Sequence, residues 1–173
     1  MAYRNKTYVA FASEDIIHYR MMQAWRASKH IDFDFIDAHD INIARDTSTD
    51  ETIRRRLRER LASTKQVVVL LSNDALRKSK ISSSFLYYEL TTTVSLGLPV
   101  VFVNLNQSRT PDHSRIPAQL SHPHYTMSVS YQPTIIKYAL DDYVDGFASN
   151  KYSADPRKGA YFYKASLYAS LGL

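Results

Sequence analysis

Two apolar runs separated by one helix-length segment constrain the fold of this chain most strongly. Residues 67–72 read Val-Val-Val-Leu-Leu-Ser, and residues 99–105 read Pro-Val-Val-Phe-Val-Asn-Leu. Neither run alternates with polar residues, which predicts strands buried on both faces, as in a parallel sheet covered by helices. The helix between the two runs should therefore lie against the sheet.

The N-terminal part of the chain shows the same alternation of strand and helix. A first strand is predicted over 7–12, and Ser13-Glu14-Asp15 after it is a helix-start signal. We expect the helix that follows to face the sheet with an apolar stripe at i, i+4, i+8 spacing. The residues of that stripe are Ile17, Met21 and Trp25.

A second strand and a second helix follow. The strand is predicted over 33–37, and a polar connection over 38–49 leads to the helix. Ser48 and Glu51 have the spacing of a capping box, which would start this helix. Its predicted buried face consists of Ile53, Leu57 and Leu61.

The central helix is the one between the two apolar runs. A polar loop is predicted over 73–82 before it, and Glu89 lies within it. Gly97 and Pro99 are expected to end this helix and to open the fourth strand.

The C-terminal part begins with a long irregular stretch over 106–132, in which 125–129 is predicted to be a short edge strand. Pro133 can start a helix that runs to about residue 149. One more short helix is expected near 160–171. The apolar face of the helix from Pro133 consists of Ile136, Leu140, Tyr143 and Phe147.

Composition limits the class of protein. We expect one domain over 1–173, with its core at 6–150 and a C-terminal extension at 151–173, because 173 residues suffice for a single core. The chain has no cysteine, which excludes disulfides and thiolate chemistry. It has neither a membrane-length apolar run nor a signal peptide, so we expect a cytoplasmic protein without a membrane partner. The net charge of +5 does not by itself imply nucleic acid, and we expect none as a partner.

Glycine is scarce, and this excludes the usual nucleotide-binding loops. The four glycines are Gly97, Gly146, Gly159 and Gly172. A dinucleotide fingerprint needs three closely spaced glycines, and a phosphate-binding P-loop needs two before a lysine. Any nucleotide must be bound in another way.

Glu89 is the carboxylate that this fold makes conspicuous. It is the one charged residue in 82–94, on a helix that must pack against the sheet. Removing a charge from water is expensive unless something compensates it, so Glu89 is either a hydrogen-bonded structural group or a reacting group. Ligands of open parallel sheets bind outside the carboxyl ends of the strands, where the strand order reverses. The predicted loops after the first three strands and the start of the Glu89 helix all lie there.

The chain resembles the bacterial TIR-like domains of Thoeris antiphage-defence systems. The similar motifs are Tyr-Val-Ala-Phe-Ala-Ser-Glu-Asp at 8–15, Phe-Asp-Phe-Ile-Asp at 33–37 and Ile-Arg-Arg-Arg-Leu at 53–57. The most specific is the block over 67–103, in which an aromatic-x-x-Tyr-Glu helix lies between two buried strands. The resemblance extends over about 6–150.

The resemblance implies a flavodoxin-like α/β fold of TIR type, a three-layer sandwich with about five parallel strands. It also implies cleavage of the nicotinamide–ribose bond of NAD, with Glu89 as the catalytic residue and NAD as substrate rather than bound cofactor. It further implies self-assembly, a phage-derived activator and a separate effector that senses an ADP-ribose-derived product. We expect no metal site. The candidate substrate-binding residues are Phe11, Ala12, Ser13, Asp15, Asp37, Arg45, Phe85 and Tyr88.

One carboxylate can suffice for this reaction. Glycosidases generally use two, because their leaving group needs an acid. In NAD the leaving group is already a cationic pyridinium, so the enzyme needs to stabilise the ribosyl cation and orient the ribose. Phe85 lies one helical turn before Glu89 and places an aromatic face beside it. The family usually has tryptophan at this position, so the chain lacks the indole donor.

Other interpretations of the same residues stay open. Glu89 could be bonded to a neighbouring Tyr, Ser or Thr in a non-catalytic TIR-type module that acts by self-association. A receiver-like phosphoacceptor domain shares the fold, but it needs an aspartate closing the third strand and a lysine closing the fifth. The arginine-rich run over 54–60 is typical of a solvated helix face. His113, His122 and His124 lie in a proline-broken loop and lack metal-site spacing.

Overall fold

The computed structural model describes residues 6–33, 35–37 and 49–173. Its helices and strands alternate along the chain as predicted. The strands are β1 Lys6–Ala10, β2 Ile36–Asp37, β3 Gln66–Leu71, β4 Val100–Asn104, β5 Thr126–Ser130 and β6 Ala160–Phe162. The helices are α1 Ile16–Ala27, α2 Asp50–Ala62, α3 Asn73–Ser79, α4 Phe85–Ser95, α5 Pro133–Asn150 and α6 Ala165–Ser170.

All pairings between the described strands are parallel. The strand order is β2-β1-β3-β4-β5-β6, so the order reverses between β1 and β3. This confirms the predicted flavodoxin-like α/β fold, to whose five strands the C-terminal segment adds β6. By the rule for open parallel sheets, the carboxyl ends of β1 and β3 are where a ligand should bind.

The helices cover both faces of the sheet. Helices α2 and α4 pack on one face through side chains that include Leu57, Leu61 and Leu90. Helices α1 and α5 cover the other face with side chains that include Tyr19 and Ile136. The predicted apolar faces of α2 and α5 are confirmed, because Ile53, Leu57, Leu61, Ile136, Leu140 and Tyr143 are buried and Phe147 packs against the core.

The predicted stripe of α1 is wrong in two of its three residues. Ile17 is 67% exposed and Met21 is 48% exposed, whereas Tyr19 and Met22 are buried. A short 3-10 turn, Ser13–Asp15, precedes α1 and buries Asp15. That turn sets the rotation of the helix, so positions 15, 19 and 22 face the sheet, at i, i+4, i+7 spacing.

Three local predictions are also corrected. The side chain of Thr49 caps α2 by accepting a hydrogen bond from the Thr52 N–H at 3.3 Å, whereas Ser48 lies outside the described residues. The predicted loop over 73–82 contains α3, because the Ser72 hydroxyl accepts a hydrogen bond from the Ala75 N–H and starts a helix there.

The third local correction concerns the C-terminal strands. β5 is not an edge strand, because it pairs with β4 on one side and with β6 on the other. β6 forms within the segment 160–171, where the sequence predicted a helix, and the observed helix α6 is limited to Ala165–Ser170.

Candidate active site

Helix α4 is fixed at both ends. The Ser84 hydroxyl accepts a hydrogen bond from the Tyr87 N–H at 3.1 Å and donates one to the Lys78 carbonyl at 2.7 Å. At the other end the Gly97 N–H bonds to the Val94 carbonyl at 3.0 Å, with a positive φ of 62° that suits glycine. The position of Glu89 relative to the sheet is therefore well determined.

Glu89 points into the layer between α4 and β1. The residue is 5% exposed, and the Tyr8 hydroxyl on β1 donates a hydrogen bond to its Oε1 atom. The Thr93 hydroxyl bonds to the Glu89 backbone carbonyl at 2.7 Å and leaves the carboxylate untouched. Among the described residues no Lys, Arg or His forms an ion pair with Glu89.

This environment shifts the ionisation of Glu89. Burial raises its pKa from 4.5 to about 8, and the hydrogen bond from Tyr8 opposes that rise only in part. The Glu89 carboxyl group is therefore protonated in most of the unliganded molecules at neutral pH. A cationic group placed beside Glu89 would stabilise the carboxylate and lower this pKa.

The turn after β1 is tied to α3 by an ion-pair network. The Glu14 carboxylate contacts Arg77 Nη2 and Lys78 Nζ, each at 2.9 Å. Lys78 also donates to the Ser13 hydroxyl at 2.5 Å. The bond from Lys78 is the main reason that the pKa of Glu14 falls to about 2. These contacts hold Ser13 at the carboxyl edge of the sheet.

Asp15 joins the ends of β1 and β3, where the strand order reverses. Its Oδ2 accepts a hydrogen bond from the Ser72 hydroxyl at 2.5 Å, and the residue is 7% exposed. Burial raises the pKa of Asp15, while the bond from Ser72 acts in the opposite direction. Asp15 thus ties the turn after β1 to the end of β3.

Phe11 and Ala12 lie on opposite sides of the β1 segment. The Phe11 ring stacks on Tyr19 of α1 at a centroid distance of 4.8 Å and packs in the core on the α1 side. Ala12 is buried in the core that contains α2 and α4. The structure therefore brings Ala12, and not the Phe11 ring, to the face that carries Glu89.

Phe85 and Tyr88 are partly buried on α4 and pack against the core on the α2 side. The Arg54 guanidinium lies over the Tyr88 ring, 5.9 Å from its centroid. The Arg54 Nε atom is buried and has no hydrogen-bond partner in the part of the chain that the structure describes. A cationic side chain from α2 therefore borders the same helix as Glu89.

The structure does not describe the side chains of two predicted site residues. Asp37 lies in β2, and its backbone pairs with Thr7 of β1, the strand that also carries Tyr8. Its side chain lies outside the described part, and so does all of Arg45. Their predicted roles stay predictions.

Sequence reasoning missed Tyr8 and Arg54. By its pattern Tyr8 is one more residue of the apolar first strand, although position 8 faces the same side as Ala10 and Ala12 by strand alternation. Arg54 belongs by composition to the arginine-rich run of its helix. Its i, i+3, i+7 spacing with buried Leu57 and Leu61 is the signal that could separate it from the other arginines.

Other features lie away from this crevice. A cavity of about 30 Å³, enough for roughly one water molecule, is lined by Val100 and Thr126, the first residues of their strands. It is therefore at the opposite edge of the sheet. No cluster of three His, Cys, Asp or Glu side chains that could hold a metal ion occurs among the described residues.

The described helices lack the features of a membrane span. Within residues 6–33, 35–37 and 49–173, no helix combines sufficient length with sufficient apolar character to cross a bilayer.

Comparison with protein families identifies the chain. Residues 8–110 match the family described as Thoeris protein ThsB, TIR-like domain. The match runs from β1 through β4 and includes α4 with Glu89, while β5, α5, β6 and α6 lie beyond it. It covers more than half of the 173 residues and agrees with the parallel sheet and its strand order. The chain therefore belongs to the family of Thoeris ThsB TIR-like domains.

Proposed function

We propose that this protein cleaves the nicotinamide–ribose bond of NAD and that Glu89 is its catalytic residue. The observation that carries the proposal is a single carboxyl group, 5% exposed and without a cationic partner among the described residues, on α4 beside the reversal of strand order. Ionising such a group is costly to the fold unless it meets a positive charge. The pyridinium of NAD supplies one.

The chemistry follows from charge. As the C1′–N bond breaks, its electron pair passes to the pyridinium nitrogen, nicotinamide leaves neutral, and positive charge develops on the ribose. A fixed carboxylate at low dielectric stabilises that ribosyl cation more strongly than the same group would in water. A nucleophile, which is water or a group of the substrate itself, then bonds to C1′, and a water or hydroxyl nucleophile loses its proton to solvent. The pyridinium also favours ionisation of Glu89 when NAD binds.

The surrounding residues have roles that fit a dinucleotide. We assign Phe85 and Tyr88 to packing against the nicotinamide and ribose, because both rings lie on α4 near Glu89. Ala12, Ser13 and Asp15 form the edge of the crevice after β1. Arg45, and Asp37 at the end of β2, are assigned to phosphate and ribose hydroxyls by their residue types. Phe11 is assigned to support of the turn, since it stacks on Tyr19.

The acceptor decides the product. Water yields ADP-ribose, whereas attack by a hydroxyl or ring nitrogen of the substrate itself yields a cyclic product. Membership in a Thoeris family favours a product that acts as a messenger in antiphage defence, made in the cytoplasm and sensed by a separate effector. A phage-derived component or self-assembly of the TIR-like domain is the proposed trigger.

One observation favours a second candidate, a TIR-type module that only self-associates. Glu89 is almost fully covered, and Tyr8 already bonds to its side chain, as a structural carboxyl would require. In that case the protein would assemble without consuming NAD.

Product analysis separates the two candidates. Purified protein is incubated with NAD alone, with enforced clustering, and with extract of infected cells, and the products are identified by mass spectrometry. We expect free nicotinamide together with ADP-ribose or with a cyclic product that is lighter than ADP-ribose by one water. Intact NAD under all three conditions, with assembly still observed, would contradict catalysis and leave the association module.

A further inference from the structure

We propose that Tyr8 is a positioning residue that holds one oxygen of the Glu89 carboxylate, so that the other oxygen faces the substrate. The inference rests on the proposed function of Glu89 and adds to it a residue from a different part of the fold. Tyr8 lies 81 positions away in sequence and meets Glu89 only because β1 packs beneath α4.

The phenol of Tyr8 is rigidly placed. Tyr8 is 0% exposed and lies in the middle of β1, where it is in register with Val67 of β3. β1 is hydrogen-bonded to β2 on one side and to β3 on the other. A side chain on such a strand keeps its direction, so it can fix the group that it contacts.

No other described side chain competes for this role. Helix α2 presents Arg54, but its guanidinium lies over the Tyr88 ring. Helix α3 presents Lys78, whose ammonium group pairs with Glu14. The β3 residues on this face are apolar, and the 3-10 turn Ala118–Leu120 has no titratable side chain.

The two oxygens of Glu89 are therefore unequal. Oε1 accepts the Tyr8 hydrogen bond, while Oε2 has no hydrogen bond from any described residue. Anchoring one oxygen fixes the rotation of the carboxylate before the substrate binds. The reaction then does not have to restrict that rotation, which would cost entropy. A hydrogen-bond donor to Glu89 also favours the carboxylate over the neutral acid. The carboxylate is the form that stabilises a ribosyl cation.

Tyr8→Phe removes this donor and keeps the ring. Tyr87→Phe is the matched control, because Tyr87 is a partly buried tyrosine of α4 that is not assigned to the site. Both variants are first compared with wild type by thermal unfolding. The pKa of Glu89 is then measured by ¹³C NMR titration without substrate, with Glu89→Gln identifying the resonance. Nicotinamide release is followed against pH in parallel.

We expect Tyr8→Phe to raise the pKa of Glu89 by about one unit, since a hydrogen bond to a charged group has about this strength. The acidic limb of kcat/KM should move to higher pH by the same amount, with about tenfold loss at pH 7. A smaller loss of kcat should persist above pH 9, because the ionised carboxylate is then no longer held in orientation. Tyr87→Phe should change neither. A purely structural tyrosine would lower stability without moving the limb.

An unchanged pKa of Glu89 in folded Tyr8→Phe would overturn the inference. Because the NMR titration needs no turnover, it gives this answer even if wild type releases no nicotinamide. An inactive wild type would instead contradict the proposed function. The two failures are thus distinguishable.

Discussion

At the scale of single residues, the dominant fact is a buried acid that no cation of the described residues pairs with. Among these residues Tyr8 donates the one hydrogen bond to the Glu89 carboxylate, and the pKa of Glu89 is still about 8 because burial outweighs that bond. Asp15 and Glu14, a few residues after β1, are satisfied by Ser72 and by Arg77 and Lys78. Unlike these two carboxylates, Glu89 can still be stabilised in its ionised form by a cation that binds beside it.

Glu89→Gln should stabilise the protein increasingly as pH rises. The folded pKa of about 8 exceeds the ordinary value of 4.5, so the folded state binds this proton more tightly than the unfolded state. Ionisation therefore opposes folding, and wild type loses stability between pH 4.5 and 8 through this group. Glutamine stays neutral and can still accept the Tyr8 hydrogen bond.

The check is thermal unfolding of both proteins at pH 5 and pH 9. The melting temperature of Glu89→Gln relative to wild type should rise by about 4 °C or more between the two values. Glu59→Gln, at an exposed position on α2, is the matched control and should show no such trend. A constant difference between Glu89→Gln and wild type would contradict the raised pKa.

The sequence predicts a buried carboxyl group at Glu89, which the structure confirms, but it does not predict the contact with Tyr8. Glu89 was detectable because a lone charge on a sheet-covering helix is costly wherever the helix is placed. Its partner depends on which strand lies beneath that helix and in which register. Those are properties of strand order, which the local pattern of 7–12 does not contain.

At the scale of elements, α4 is the part that presents the site. Ser84 caps its N-terminus, and Gly97 closes its C-terminus. Ser84→Ala should lower the free energy of unfolding by about 1 kcal/mol, because one N-terminal N–H loses its partner. Urea unfolding would measure this loss, and Ser83→Ala, at an exposed neighbouring position, should cost less than half as much. Equal effects of the two changes would show that the cap is unimportant.

The same scale shows where periodicity is reliable. The buried face of α2 was predicted correctly, because Ile53, Leu57 and Leu61 form the one continuous apolar stripe of a very polar helix. α1 offers several apolar residues around its circumference, so two stripes compete. The turn Ser13–Asp15 decides between them by orienting the first residue of the helix, and residue spacing carries no information on that rotation.

At the scale of the whole molecule, sheet order assembles the site. β1 lies between β2 and β3, which places Tyr8 under α4 and Asp15 against Ser72. The strand and helix alternation predicts a parallel sheet covered by helices on both faces, but it does not predict the strand order. β6 was not predictable, because three residues, Ala160–Phe162, within a polar and aromatic segment form a strand only against the exposed edge of β5.

The C-terminal segment is also part of the core. Tyr168 of α6 is fully buried, and its hydroxyl accepts a hydrogen bond from the Ser130 N–H at 3.2 Å. Residues 151–173 therefore complete the sheet and its packing, although they lie beyond the part of the chain that matches the family.

Replacing the Glu89 carboxylate by the isosteric amide of glutamine is the most direct test of the proposed NAD cleavage. Nicotinamide release from NAD is measured at pH 9, where Glu89 is ionised, for wild type, Glu89→Gln and the control Glu59→Gln. We predict that Glu89→Gln, folded and at least as stable as wild type, loses activity by about 100-fold or more, while the control retains it. Release of nicotinamide by Glu89→Gln at the wild-type rate would contradict the central claim.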